Sequence, residues 1–141
     1  MYYKNMMKLK NQYHPHCIFN SDFIDLKISF SGDGELVGHF DCNKKFQGYC
    51  ERIHGGIIAG IIDSAMTLFL FGHNIVAYTV RLNIKYSHPV LVEKEAVIKV
   101  KFKEKQHDCV YNITSAIYQD NNKLITSDAK FWLVKDLNRE D

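Results

Sequence analysis

Apolar and polar residues alternate with a period of two along most of this chain, and in one stretch they do not alternate at all. Leu36, Gly38 and Phe40 interleave with Val37, His39 and Asp41 behind the turn-forming run Ser31-Gly32-Asp33-Gly34, as a strand does. Tyr78, Val80, Leu82, Ile84 and Tyr86 interleave with Thr79, Arg81, Asn83, Lys85 and Ser87 in a long, regular pattern of the same kind. A further strand follows where Ala96, Ile98, Val100 and Phe102 interleave with Val97, Lys99, Lys101 and Lys103. Two more, Cys109 to Tyr118 and Leu124 to Val134, are joined by the turn Gln119-Asp120-Asn121-Asn122. The exception is Gly55 to Phe71, GGIIAGIIDSAMTLFLF, where only Asp63, Ser64 and Thr67 carry polar side-chain groups.

That apolar run is at the short limit for a membrane span, holds a carboxylate near its middle and lacks flanking basic anchors. It is therefore read as a helix buried on most of its faces within a folded domain. The order is then a strand or hairpin, one long buried helix, and four strands in meander-like succession. Strands segregated from a helix in this way predict an α+β domain, with an antiparallel sheet curled round its helix.

Composition narrows the function classes. The chain has 141 residues, is 46% apolar and 24% charged, and is read as one domain over residues 1–141, with 1–16 as an N-terminal extension. A formal charge of +2, without a Lys/Arg-rich run, gives no footprint for nucleic acid. The first residues, MYYKNMMKLKNQYHPH, carry charges throughout and lack the apolar centre of a signal peptide, so a cytoplasmic location is expected. Cys17, Cys42, Cys50 and Cys109 form no CxxC pair, so neither zinc nor a redox dithiol is indicated; free buried thiols are expected.

Asp63 is the chemical anomaly. A carboxylate between Ile61-Ile62 and Ala65-Met66 needs partners, because desolvation disfavours its charge. Gly56, Ala59 and Gly60 precede it on the same helix face and Thr67 follows one turn on, forming a stripe of small and polar groups. On its own, this stripe is read as a site of close packing rather than catalysis. His54-Gly55-Gly56 shifts that balance. It offers no Ser, Thr, Asp or Asn to cap the first turn, and its glycines let a ligand reach N–H groups that the helix dipole makes attractive to negative charge. Such an end can hold the oxyanion formed when a carbonyl is attacked, although a glycine loop that merely turns tightly has the same sequence.

The run Gln47-Gly48-Tyr49, followed by Ile53-His54-Gly55-Gly56-Ile57-Ile58-Ala59-Gly60-Ile61-Ile62-Asp63-Ser64-Ala65-Met66, resembles the QGxxxxxHGGxxxxxxDxAM pattern of hotdog-fold acyl-CoA thioesterases. The subgroup it is most similar to is the phenylacetic-acid-degradation type, which is 4-hydroxybenzoyl-CoA thioesterase-like. Thr79 to Tyr86 with Pro89-Val90 resembles that family's strand after the helix, and Ala129-Lys130-Phe131 its closing strand. The resemblance covers roughly residues 17 to 135.

The resemblance implies a hotdog fold, an antiparallel sheet wrapped around one long central helix, and hydrolysis of an acyl-CoA thioester to free acid and CoA. No metal is implied, and no cofactor beyond the CoA of the substrate. Asp63 would be general base or nucleophile, Gly55 N–H an oxyanion donor, His54 a group that shapes the loop and polarises the carbonyl, and Gln47 a positioning group for water or thioester. Thr79 matches a Ser/Thr often found near the carboxylate. Gly56, Thr67 and Arg81 complete the substrate-contacting set expected with it. In this family the carboxylate of one subunit faces the His-Gly-Gly loop of another, so a homodimer, or a tetramer built as a dimer of dimers, is implied. No nucleic-acid or membrane partner is expected.

Departures are also visible. Relatives carry a CxxCGxxNPxGL-like segment that lines the substrate side; here Cys17-Ile18-Phe19-Asn20-Ser21 keeps only the first cysteine. Arg52 replaces an apolar residue and is read as a solvated surface arginine. Two rival functions remain open on these residues. One is a hotdog acyl-thioester dehydratase or hydratase, which the lack of an HFPG-like loop disfavours. The other is an acyl-CoA binding module without turnover.

Overall fold

In the computed structural model, which describes residues 1–103 and 108–139, the apolar run folds as helix α2 (Gly55–Gly72). Ile58, Ile61, Ile62, Ala65, Met66 and Phe69 recur at three- and four-residue spacing and are all buried. Each of the Ile, Met and Phe side chains contributes about 1.5–3 kcal/mol by leaving water. The helix is long and apolar enough to cross a membrane; here it is the core element. It stops at Gly72, where the ring of Phe30 lies against the backbone and an added Cβ would stand 2.5 Å from Phe30 Cζ.

Six strands form one antiparallel sheet across α2: β1 (Lys27–Phe30), β2 (Leu36–Asp41), β3 (Ile75–Tyr86), β4 (Glu95–Phe102), β5 (Val110–Gln119) and β6 (Asn122–Asp136). Their spatial order is β1-β2-β4-β5-β6-β3. Alternate residues face the helix and are buried, among them Leu36, Phe40, Ile98, Ile113, Ile117, Ile125 and Phe131. The β5–β6 turn has both central residues, Asp120 (φ 51°) and Asn121 (φ 63°), in the left-handed region, the geometry a two-residue hairpin needs. The α+β expectation and the hotdog arrangement of sheet and helix are both met.

Two features differ from the sequence reading. Within the N-terminal extension, residues 1–16, Tyr2–Tyr13 form a helix that the pattern did not predict, α1, which packs on α2. Its Met6 and Leu9 are buried in the common core, and Tyr2 stacks on Phe30. Strand β3 is long, as expected, but its alternation does not keep one face. Thr79 lies opposite Phe131 and Arg81 opposite Lys130, so Val80 is an unpaired extra residue, a β-bulge. Thr79 points inward before it; Leu82, Ile84 and Tyr86 face inward after it, opposite Ala129, Ser127 and Ile125. β3 is also the last strand of the sheet, and its outer edge, with exposed Tyr78 and Val80, has no strand beside it among the described residues.

The thiols are all free, yet only Cys42 is fully buried, and burial pushes it up to about 12. Cys17 is half-buried and Cys50 and Cys109 are exposed, which corrects the expectation of four buried thiols.

Candidate active site

The stripe on α2 survives folding as the helix face the sheet does not cover. Ala59, Gly60, Asp63 and Thr67 are half-buried and Gly56 is exposed, in contrast to the buried faces on either side. Asp63 Oδ1 accepts a hydrogen bond of 2.5 Å from the Thr79 hydroxyl on β3, so the carboxylate is held by a neutral donor, and its second oxygen has no partner among the described residues. Thr67 is placed differently from the substrate contact expected of it. Its hydroxyl donates to the Asp63 backbone carbonyl at 3.0 Å, a bond within the helix.

At the start of α2 the helix does have a cap, contrary to the sequence reading. His54 Nδ1 accepts the Gly56 N–H at 2.9 Å, which makes the neutral form of this ring the tautomer with hydrogen on Nε2. An added Cβ at Gly56 would stand 3.0 Å from that ring, so Gly56 serves the cap and its N–H is not available to a ligand. The His54 carbonyl accepts from Ile57 and Ile58. The Gly55 N–H has no partner among the described residues. Nothing among the described residues requires glycine at that position either, since the nearest atoms to an added Cβ are those of the Tyr86 ring at an ordinary 3.7 Å. Tyr86 donates its hydroxyl to the Gly55 carbonyl at 2.8 Å, holding the following peptide, whose N–H caps onto His54. Partial burial raises the Tyr86 phenol above its ordinary value, so it stays protonated as a donor.

The loop before the helix is built to present this end. Gln47 Oε1 accepts the Glu51 N–H at 2.9 Å, and Gln47 bridges to Ile53 through the backbone. Gly48 passes so close to His54 that an added Cβ would meet its Cα at 3.2 Å. Gln47 thus closes the loop through its oxygen, and its amide N–H groups have no partner among the described residues. Arg81 is not at the site. Its partner in register, Lys130, is exposed, and both lie on the sheet face turned away from α2.

Two concavities flank the helix. An open cleft of about 700 Å³ lies at its start, with Gly55, His54, Arg52 and Tyr86 in its wall. A cavity of about 350 Å³ lies between α1, the 19–28 segment and the Ile61, Ser64 and Leu68 side of α2. Phe19 lies over Gly60 there, where an added Cβ would be 2.0 Å from Phe19 Cζ. No motif had singled out Phe19 or Tyr86, whose roles come from contacts over long stretches of sequence. Among the described residues, no group of three or more His, Cys, Asp or Glu side chains could hold a metal.

The chain has recognisable relatives. Residues 51–107 match the family model described as the thioesterase superfamily. No curated protein matches by sequence. Among solved structures, the E. coli PaaI protein from the phenylacetic acid degradation operon is similar with a TM-score of 0.81 and 10% identity, over 96% of this chain and 98% of that one. The smu.793 protein of Streptococcus mutans, solved bound to acetyl CoA, gives 0.74 and 16%, over 87% and 98%. A thioesterase superfamily protein gives 0.71 and 17%, over 76% of this chain; the present chain spans 53% of it. At these identities the structures establish the fold. The family match over residues 51–107 agrees with the resemblance to thioesterases drawn from the His-Gly-Gly and Asp motif.

Proposed function

We propose that the protein is an acyl-CoA thioesterase whose working unit is a homodimer. The observation that carries this reading is the pairing, on one helix, of an unpartnered N–H at Gly55 with a half-buried carboxylate at Asp63 held by Thr79. The superfamily match supports thioester chemistry, and the acetyl CoA in the Streptococcus mutans protein supports CoA as the thiol.

Spacing argues for two subunits. Gly55 and Asp63 are eight positions apart, about 12 Å along the helix axis, whereas an oxyanion donor and a base must each reach one carbonyl within about 3 Å. A two-fold axis beside Ala59, the midpoint, would set Asp63 of one copy against Gly55 of the other. Ala59 and Gly56 present little side chain on that face, Gly60 being packed under Phe19, and the open edge of β3 runs alongside. Isologous pairing there would extend the sheet across the dimer and remove its exposed edge.

In the reaction, the Asp63 carboxylate takes a proton from water as the water oxygen attacks the thioester carbonyl. The Gly55 N–H of the other subunit holds the resulting oxyanion. Collapse of the tetrahedral intermediate breaks the C–S bond, and the departing thiolate recovers the proton, giving free acid and CoA. Direct attack by Asp63, through an anhydride that water then cleaves, uses the same placement. In this reading the amide of Gln47 and the Nε2–H of His54, neither engaged by a described residue, orient the carbonyl or the water. Thiol release should be measured over short, medium, long and aromatic acyl-CoAs, with Asp63→Asn alongside. The variant should stay folded and lose nearly all turnover; undiminished hydrolysis would reject the assignment, and binding of CoA esters without thiol release would favour a non-catalytic module.

A further inference from the structure

The cleft at the start of α2 has an uneven charge pattern. Arg52, His54 and His88 line it together with Ser87, and no Asp or Glu is among its lining residues. Its floor is apolar, from Ile53, Ile58, Val90 and Ile125. Read from sequence alone, Arg52 is a solvated surface arginine. In the structure its backbone is pinned on both sides. Its N–H donates to the Tyr49 carbonyl at 3.0 Å, its carbonyl accepts the Gly48 N–H at 2.9 Å, and it bridges to Leu91 on the opposite side of the cleft wall. Its guanidinium meanwhile makes no hydrogen bond or ion pair with any described residue. An arginine anchored by its main chain, unpaired by its side chain and set in a cleft without carboxylates is a fork of donors awaiting an anion. The concave, partly apolar wall concentrates its field.

We propose that this cleft is the anion subsite of the substrate, in which Arg52, seconded by His88, holds a phosphate or carboxylate while the thioester reaches the Gly55 N–H. The inference rests on the thioesterase reading only for the identity of the molecule that carries the anion. Two parts of a CoA thioester can supply that chemistry: the phosphates of the thiol carrier, or an acidic group on the acyl chain.

Calorimetric binding separates them without needing turnover. The probes are CoA against pantetheine, which keeps the thiol arm and lacks the phosphates, and glutaryl-pantetheine against butyryl-pantetheine. With the native protein the anionic member of at least one pair binds more tightly, and raising the salt narrows the gap. Arg52→Gln reduces that preference about tenfold, while Arg52→Lys, which keeps the charge and loses the fork, retains part of it. Loss in the CoA pair assigns the phosphates, and loss in the glutaryl pair assigns the acyl group. Preferences that are equal in native protein and Arg52→Gln, for both pairs, overturn the proposal. Because Asp63→Asn reports on turnover and Arg52→Gln on binding, failure of one reading does not imitate failure of the other.

Discussion

Replacing Thr79 by valine removes a single hydroxyl from the candidate site and tests whether Asp63 acts there. The Thr79 hydroxyl donates to Asp63 Oδ1 at 2.5 Å. A hydrogen bond to a charged group is worth about 1.5–3 kcal/mol; with Thr79 exposed and Asp63 half-buried, water competes and the lower end, about 1.5 kcal/mol, applies. If the bond orients the carboxylate for attack, that energy appears in the barrier, and kcat/KM for acyl-CoA hydrolysis falls about tenfold. Stability should fall by no more than about 1.5 kcal/mol, since the same bond is lost in the folded state and valine suits an exposed strand position. The assay is thiol release followed over a range of acyl-CoA concentrations, with the melting temperature of each variant as the control for folding. Thr79→Ser keeps the donor and should recover activity to within about threefold, the remainder reflecting the freer rotation of a side chain that is not β-branched. The reasoning fails if the valine variant loses less than about twofold, or if serine loses as much as valine while both remain folded.

Two further outcomes concern the far end of α2. Gly34 has φ +80°, and an added Cβ would stand 2.7 Å from His73 Cε1 and 2.9 Å from Tyr2 Cζ. Gly34→Ala should therefore destabilise by about 2–5 kcal/mol, backbone strain and displaced rings together; a urea midpoint shift equivalent to less than about 1 kcal/mol would contradict this. His73 is half-buried among Phe69, Phe102 and Tyr2 and bonds the Gly34 carbonyl at 2.7 Å. Burial lowers its pKa from 6.5, with the Gly34 bond opposing, so the unfolded chain binds the proton more readily. Stability is then full above pH 6.5 and declines as the pH drops below it, by at most about 1.4 kcal/mol per pH unit, until the lowered folded-state value is reached. Urea titrations at several pH values should show a shallower slope in His73→Gln; superimposable pH profiles would refute the link.

Much of the fold is legible because its physics is local. The buried faces of α2, β2, β4, β5 and β6 follow from periodicity, and the Asp120-Asn121 turn from residues that tolerate positive φ. The N-terminal helix was less visible. Tyr2, Met6, Leu9 and Tyr13 do recur at helical spacing, but the charges between them mask a helix that only packing on α2 makes worthwhile. At the site, Asp63 stood out as a carboxylate in an apolar run, and the His-Gly-Gly start as a helix without a usual cap. That His54 itself supplies the cap was not legible, because an imidazole is not among the customary capping side chains. Arg81 was misplaced for another reason. Val80 is apolar and continues the alternation, so the extra residue leaves no mark on the pattern while it reverses the faces beyond it.

That extra residue decides what a single strand can hold. Thr79 and Tyr86 are an odd number of positions apart, and along an uninterrupted strand two such residues point to opposite sides. Here both must meet the same helix, Thr79 at Asp63 and Tyr86 at Gly55. Val80 restores the parity. With it, one strand clamps both the carboxylate and the carbonyl of the residue whose N–H is free, and the distance between the two half-sites along α2 becomes a fixed length of the scaffold. Removing Val80 would leave every residue type at the site unchanged and still release one of the two grips.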